Sequence, residues 1–349
     1  MGFRSPRLAS SGSLLRMDFP LPGLHHLTAV ASEPQANLDF YAGLLGLRLV
    51  KQTVNFDDPG TYHLYYGDER GRPGSLLTFF ASPEVPPGMP GSGAPSVLQL
   101  SAPEASLFFW QDRLEAAGVA TSLRPRWEET VLAFRDPDGL PVELVGAADD
   151  SRPPWTGGPL PAEYALRGLA GVEMAVAQSG PTESFLRDVL GGRPHRRDDT
   201  RTRIAWGEAA PGHFLDLVAT PDLPASRGGA GTLHHLALRA PDPTAQDRMD
   251  TALRAAGVST SGPRDRQYFR SVYFREPGGV LLEIATDPPG FTVDESPAEL
   301  GTRLCLPHGL EPHRGRIERR LPPLLLSGIG ENRAGEKSGG KGARPSTSG

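Results

Sequence analysis

Apolar and polar positions along this chain fall into four successive blocks. Each block predicts the same run of elements: a strand, an amphipathic helix, then further strands. The first block runs from about Leu24 to Phe80. Its strand at His26–Ala31 is followed by Leu38, Tyr41, Leu44 and Leu45 at helical spacing, then by the apolar runs at 64–66 and 76–80. The second runs from Val97 to Val145. Leu107, Phe108, Trp110 and Leu114 mark its helix, Gly118 reads as the glycine that ends it, and the turn Asp136-Pro137-Asp138-Gly139 leads into a strand at 142–145. The third, Leu169 to Val218, places Phe185, Leu186, Val189 and Leu190 on its helix. The fourth, Leu233 to Thr286, has Leu253 and Ala256 before Gly257, then the turn Glu276-Pro277-Gly278-Gly279 and a strand around Glu283.

The blocks are related in pairs. Ala-Ala-Gly-Val recurs at 116–119 and 255–258, so the second and fourth align and Glu143 is the counterpart of Glu283. The first and third align through Gly-Leu at 23–24 and 168–169, which sets Gly171 opposite His26. Asp149–Leu160 is rich in Pro and Gly and lacks periodicity, as a linker does. The expected organisation is a disordered leader at 1–19, an N-terminal domain at 20–150, a linker at 151–165 and a C-terminal domain at 166–290. A partly helical extension follows at 291–326, with Pro297–Leu304 and His313–Leu321 as its helical stretches. A Gly/Ser/Lys-rich tail at 327–349 is expected to be disordered. Met17 is an alternative start to Met1.

Composition narrows the class. The chain has 349 residues, 38% hydrophobic and 22% charged, with a net charge of -5, which suits a soluble protein and offers no basic run for nucleic acid. No stretch approaches the ~18 apolar residues of a membrane span. Cys305 is the single cysteine, so neither a disulfide framework nor a thiolate cage is available, and a cytoplasmic setting is expected. Among the basic residues only Lys51, Lys337 and Lys341 are lysines, a bias read as genomic.

Candidate chemistry sits in two histidine pairs. His25-His26 opens the strand of the first block and His234-His235 opens that of the fourth, with Glu283 in a later strand of the fourth. Side chains alternate along a strand, so one histidine of each pair faces a given side. His234 shares a face with Leu236 and Leu238, leaving His235 as the candidate for a polar concavity. His26 lies with Thr28 and Val30, and His25 with Leu27 and Ala29, a weaker distinction because both faces are apolar. A carboxylate inside an apolar strand is costly unless paired or bound to a cation. His26, His235 and Glu283 therefore make a candidate facial triad, the arrangement that holds a divalent metal and leaves other positions open. Glu143 has no histidine near its matching position, Gln99, and reads as structural. His63 could line a pocket but reads first as structural. His195, His213, His308 and His313 read as surface groups.

Several runs carry a family resemblance. Leu-His-His-Leu-Thr at 24–28, Phe-Tyr-Ala-Gly-Leu-Leu-Gly-Leu-Arg-Leu-Val at 40–50 and Thr-Val-Asn-Phe-Asp-Asp-Pro-Gly-Thr-Tyr-His-Leu-Tyr at 53–65 are joined by Gly-Thr-Leu-His-His-Leu-Ala at 231–237. Asp-Arg-Gln-Tyr-Phe at 265–269 and the run at 273–287 complete the set. Over about residues 20–320 the chain resembles ring-cleaving dioxygenases of the hydroquinone type, in the vicinal oxygen chelate (glyoxalase/extradiol dioxygenase) superfamily. The resemblance implies an α+β fold of four βαβββ modules paired into two domains with cupped mixed sheets. It matches His26, His235 and Glu283 to ligands of Fe(II), with Mn(II) as the alternative. It sets His25, His234, Arg266 and Tyr273 beside the metal or the substrate, with acid/base work for His25 or His234, charge stabilisation for Arg266 and proton donation for Tyr273. The implied partners are a small aromatic diol and O2, with neither nucleic acid nor membrane; a homo-oligomer is compatible. The same fold also serves glyoxalase I-like isomerases, thiol transferases and non-catalytic binders. Gly171 opposite His26 argues against a symmetric isomerase site.

Overall fold

The computed structural model describes residues 21–326, so the leader expected at 1–19 and the tail at 327–349 lie outside the described residues. The four blocks form four modules. The first holds β1 (Leu24–Ala31), α1 (Pro34–Leu38, continued by a π-helical turn), β2 (Arg48–Val54), β3 (Tyr62–Gly67) and β4 (Leu76–Ala81). The second holds β5 (Ala94–Pro103), α2 (Leu107–Ala116), β6 (Ser122–Arg126), β7 (Glu129–Arg135) and β8 (Pro141–Ala147). The third holds β9 (Gly168–Val176), α3 (Ser179–Asp188), β10 (Arg193–Arg197), β11 (Arg201–Ala205) and β12 (Phe214–Ala219). The fourth holds β13 (Thr232–Ala240), α4 (Pro243–Ala255), β14 (Arg264–Asp265), β15 (Phe269–Arg275) and β16 (Leu281–Pro289).

Two curled, mixed sheets of eight strands result, ordered β14-β15-β16-β13-β1-β4-β3-β2 and β10-β11-β12-β9-β5-β8-β7-β6. The first module pairs with the fourth and the second with the third. Each half of the chain thus contributes one module to each sheet. Local chemistry punctuates the elements as the pattern required. Asp242 caps α4 by accepting from the Ala245 N–H, and Gly118 and Gly257, both at φ +79°, end α2 and α4 in the left-handed conformation that favours glycine. Val189 and Leu190 fall just beyond the end of α3.

The sheet faces turned toward the helices form one continuous core, including Leu27, Trp110, Leu186, Leu236 and Leu282. The other face of the first sheet carries a smaller cluster with Val50, Tyr65, Ala237, Phe269 and Phe291. The extension after β16 plugs this face, and fully buried Lys51 pins it through ion pairs to Asp294 and Glu295. The helix expected at Pro297–Leu304 is not formed; turns occupy 297–301. Side chains of β2 take carbonyls that a helix would need, Arg48 at Pro297 and Gln52 at Gly301. The second expected stretch is α5 (Arg314–Arg320). Among the described residues no helix is long and apolar enough to cross a membrane.

A repeated clamp ties neighbouring modules. The Asp136 carboxylate accepts from the N–H groups of Asp138 and Leu140 and from the Tyr41 hydroxyl of the first module. Glu276 accepts from Gly278, Val280 and the Thr182 hydroxyl of the third. Burial raises the Asp136 pKa from 3.8 to about 6. The folded value exceeds the unfolded one, so its stabilising contribution is complete below pH ~4 and lost as pH rises through about 6. Asp136→Asn, which keeps the shape, is expected to flatten the stability difference between pH 5 and pH 7. Urea midpoints at the two pH values test this; an unchanged slope would remove Asp136 as its source.

Candidate metal centre

The triad is positioned by sheet register. His26 on β1 pairs with Ala237 on β13, and Ala237 pairs with Glu283 on β16, so the three lie on one line across adjacent strands and share a face. His235 lies two residues before Ala237 on the same face. Ala237, with no side chain beyond Cβ, leaves space among them. His26 Nε2 lies 3.4 Å from Glu283 Oε2 and 3.4 Å from His235 Nε2, and His235 Nε2 lies 2.9 Å from Glu283 Oε2. Ligands bound at about 2.0–2.2 Å at right angles would stand roughly 3 Å apart, so the spacing fits one ion.

The electrostatics fit as well. Glu283 Oε1 accepts from the Ser271 hydroxyl, whereas Oε2 has no hydrogen-bond partner although Glu283 is fully buried. Two imidazole lone pairs and a carboxylate oxygen crowded together repel one another until a cation stands between them. Burial pushes the Glu283 carboxyl up, but attraction to the two imidazoles in their protonated form outweighs this and holds it well below the ordinary carboxylate range, so positive charge beside it is strongly favoured.

β-Bulges bring each histidine pair together. The β1–β13 ladder skips His25 on one strand and His234 on the other. This re-aims neighbouring imidazoles, so His25 Nδ1 lies 2.9 Å from His26 Nδ1 and His234 Nδ1 lies 2.7 Å from His235 Nδ1. The proton positions follow. His25 Nε2 donates to the Thr286 carbonyl at 3.2 Å, and burial, reinforced by the His26 charge, lowers its pKa to about 3. A neutral His25 with its proton on Nε2 accepts at Nδ1, so His26 carries its proton on Nδ1 and leaves Nε2 bare toward the triad. His234 serves His235 in the same way through Nδ1. This geometry favours a supporting role for His25 and His234 over the acid/base work expected of them.

A cavity of about 40 Å³ opens onto the triad. Phe56, Phe80, Phe269 and Tyr273 form apolar walls, while Thr28, His63 and Arg266 supply polar groups. Tyr273 pairs in register with Glu283 and accepts from Arg266 Nε at 3.3 Å. Burial and the nearby Glu283 raise the Tyr273 phenol, so it stays protonated. Burial pulls the Arg266 pKa down, but Tyr273, Asp57 and Glu283 around it more than restore it, and the side chain stays charged. Arg266 thus lines the cavity, and its Nη2 reaches Asp57 Oδ2 at 3.4 Å. His63 lines the cavity and also bonds through both nitrogens, to Thr78 and Tyr65. Thr28, Thr78 and Ser271 were missed in the sequence. Thr28 alone carried a signal, two residues after His26 on the same strand face.

Elsewhere among the described residues the same framework holds no open ligand set. In the second sheet Gly171 pairs with Gln99 and Gln99 with Glu143, the same line across strands, and the bulges recur at Ser96 and Ala170. There Glu143 accepts from Arg124, Arg126 and Gln99, as its structural reading required. Asp294, Glu295 and Cys305 also cluster, but the Lys51 ammonium stands among them. A larger open depression of about 800 Å³ runs past Val119, Arg124 and Ala133, away from the triad.

The comparisons agree with this architecture. The Glyoxalase/Bleomycin resistance protein/Dioxygenase superfamily matches residues 23–144 and 168–284. A Bacillus subtilis (strain 168) protein provisionally named ring-cleaving dioxygenase MhqO is 42% identical over 303 residues, 86% of this chain and 96% of that protein. A Sphingobium indicum protein named chlorohydroquinone/hydroquinone 1,2-dioxygenase is 33% identical, over 90% of this chain and 100% of its own length. A crystal structure of a provisionally named Bacillus subtilis dioxygenase superposes with a TM-score of 0.84 at 40% identity, covering 88% of this chain and 98% of that one. Zea mays glyoxalase I, at 16% identity and a TM-score of 0.57 over 76% of this chain and 92% of its own, shares the fold.

Replacing His235 or Glu283 by Ala is expected to abolish Co(II) or anaerobic Fe(II) binding while the circular dichroism spectrum persists. His25→Phe is expected to weaken binding about 10- to 100-fold, as loss of a supporting partner does. Full metal occupancy in the Glu283 variant would exclude this triad.

Proposed function

The chain belongs to the Glyoxalase/Bleomycin resistance protein/Dioxygenase superfamily, and on that premise we propose that it is a dioxygenase that opens the ring of a hydroquinone-type diol. The triad of His26, His235 and Glu283 holds Fe(II). The observation that carries this reading is the convergence of Nε2, Nε2 and the orphaned Oε2 at the floor of an aromatic-walled cavity. The names of the relatives from Bacillus subtilis and Sphingobium indicum support the reaction class, and the second supports the para-diol.

Bound Fe(II) supplies the electron transfer that lets O2 react with an electron-rich ring. The chain's own residues bind, orient and handle protons. Phe80 and Phe269 offer faces and edges against which a flat ring packs. Arg266, charged and beside Tyr273, stabilises the phenolate that forms when a diol loses its proton. Tyr273 holds a phenolic proton that it can donate to an oxygen of the opening ring. The cavity is small beside the roughly 150 Å³ that accommodates benzene. Asn55, Phe56 and Asp57 line the cavity, and Asp57 is 80% exposed and held by Arg266.

The test is anaerobic Fe(II) loading followed by oxygen uptake. Hydroquinone is expected to consume O2 one-for-one and yield a ring-opened product. Tyr273→Phe is expected to lower kcat at least about 100-fold, the usual scale for a positioned proton donor, with iron content unchanged. Iron-loaded protein that takes up no O2 with hydroquinone, its substituted analogues or catechol would refute the assignment.

A further inference from the structure

A hydrogen-bond chain leaves the triad through residues that the reaction described above does not use. His235 Nε2 lies 2.9 Å from Thr28 Oγ1, which lies 2.9 Å from Thr78 Oγ1. Thr78 Oγ1 lies 3.0 Å from His63 Nε2, and His63 Nδ1 lies 2.9 Å from the Tyr65 hydroxyl. Thr28 and Thr78 are fully buried and Tyr65 is nearly so.

The direction of this chain can be derived from its inner end. Tyr65 stays protonated, because burial raises its pKa well above the ordinary phenol value. Leaving a buried donor unmade costs more than leaving one lone pair idle, so Tyr65 donates to His63 Nδ1. Burial keeps His63 neutral, with its single proton on Nε2, which it gives to Thr78. Thr78 then donates to Thr28. With its oxygen already accepting, Thr28 can only point its own hydrogen onward, toward His235 Nε2. That nitrogen's lone pair is the one a metal takes. Once it is taken, the Thr28 hydrogen turns to the cavity, which Thr28 lines.

Resting on the triad reading above, we propose that Tyr65, His63 and Thr78 are positioning residues. They make Thr28 a one-way hydrogen-bond donor to an oxygen atom of a diol or O2 held at the metal. Without the metal, the same hydroxyl competes for the His235 lone pair. Donor and competitor are one group, and this gives the proposal two opposed signatures.

The experiment titrates metal-free protein with Co(II), then the Co(II) protein with hydroquinone under argon, following the cobalt absorption bands. Thr28→Val is expected to bind Co(II) about two- to tenfold more tightly and hydroquinone about two- to tenfold more weakly, the range of one net hydrogen bond. Thr28→Ser is expected to restore both affinities. Tyr65→Phe, which frees His63 to reverse the chain, is expected to weaken hydroquinone with little change for Co(II). Wild-type affinity for hydroquinone in folded Thr28→Val and Tyr65→Phe overturns the proposal and leaves the triad intact. Weaker Co(II) binding by folded Thr28→Val also overturns it. Wild-type protein that binds no Co(II) brings down the triad reading itself.

Discussion

Three lone-pair-bearing atoms held within 3.4 Å of one another in a buried pocket are the constraint around which this protein is arranged. Their mutual repulsion opposes folding, and solvent cannot screen it where Glu283 is fully buried. A cation among them would relieve that repulsion, and the backbone that forces them together thereby supplies a candidate metal-binding set. Register does the forcing. His26, Ala237 and Glu283 align because β1, β13 and β16 are neighbours, and that order exists because the first module pairs with the fourth. Halves that paired their own modules would separate His26 from His235 and leave neither site complete.

The second sheet shows what the framework does without a metal. Its bulges and its central line of residues are the same, yet Gly171 and Val97 stand where the first sheet has His26 and His235. A Cβ at Gly171 would come within 2.7 Å of Gln99 Oε1, so no side chain fits there without displacing Gln99. Glu143 remains, and guanidinium groups supply its counter-charge; Asp216 beside it is met by Arg201 and Arg203. The balance is internal and closed. Buried carboxylates at equivalent points thus have two solutions in one molecule, and only the first sheet's leaves coordination positions free.

The sequence made much of this legible because the molecule repeats itself. Four blocks of strand, helix and strands appeared in the apolar pattern, and doubled histidines at matching block positions drew attention to His26 and His235 before any fold was known. The pairing of outer modules did not appear there, since periodicity records which face a residue takes and not which strand lies beside it. The bulges were also hidden. They overturn strict alternation at His25 and His234, so a reading by faces groups those side chains with Leu27 and with Leu236, whereas each bonds to the neighbouring triad histidine. The helix expected at Pro297–Leu304 failed for a related reason: local spacing favoured it, but Arg48 and Gln52, some 250 residues away, claim its carbonyls. The arginines around Glu143 were individually ordinary, and only tertiary structure makes them a group.

The choice of imidazole behind each histidine ligand bears on what the centre can attract. Histidine ligands are usually supported by a carboxylate, a backbone carbonyl or water. A carboxylate behind both ligands would bring the charge of a divalent ion and Glu283 below neutrality. His25, held neutral by burial, and His234 orient the ligands without adding charge. A bound divalent ion would keep one net positive charge, and Arg266 adds another on the cavity wall, with Asp57 opposing it only at the exposed rim. An anionic oxygen arriving in that cavity meets positive charge that no buried carboxylate has cancelled. The second sheet's cup, where Arg124, Arg126, Arg201 and Arg203 each face a carboxylate, offers no such field. What separates the first sheet's cup from the second's is therefore whether positive charge would be left over once the protein's own groups and a bound ion were paired.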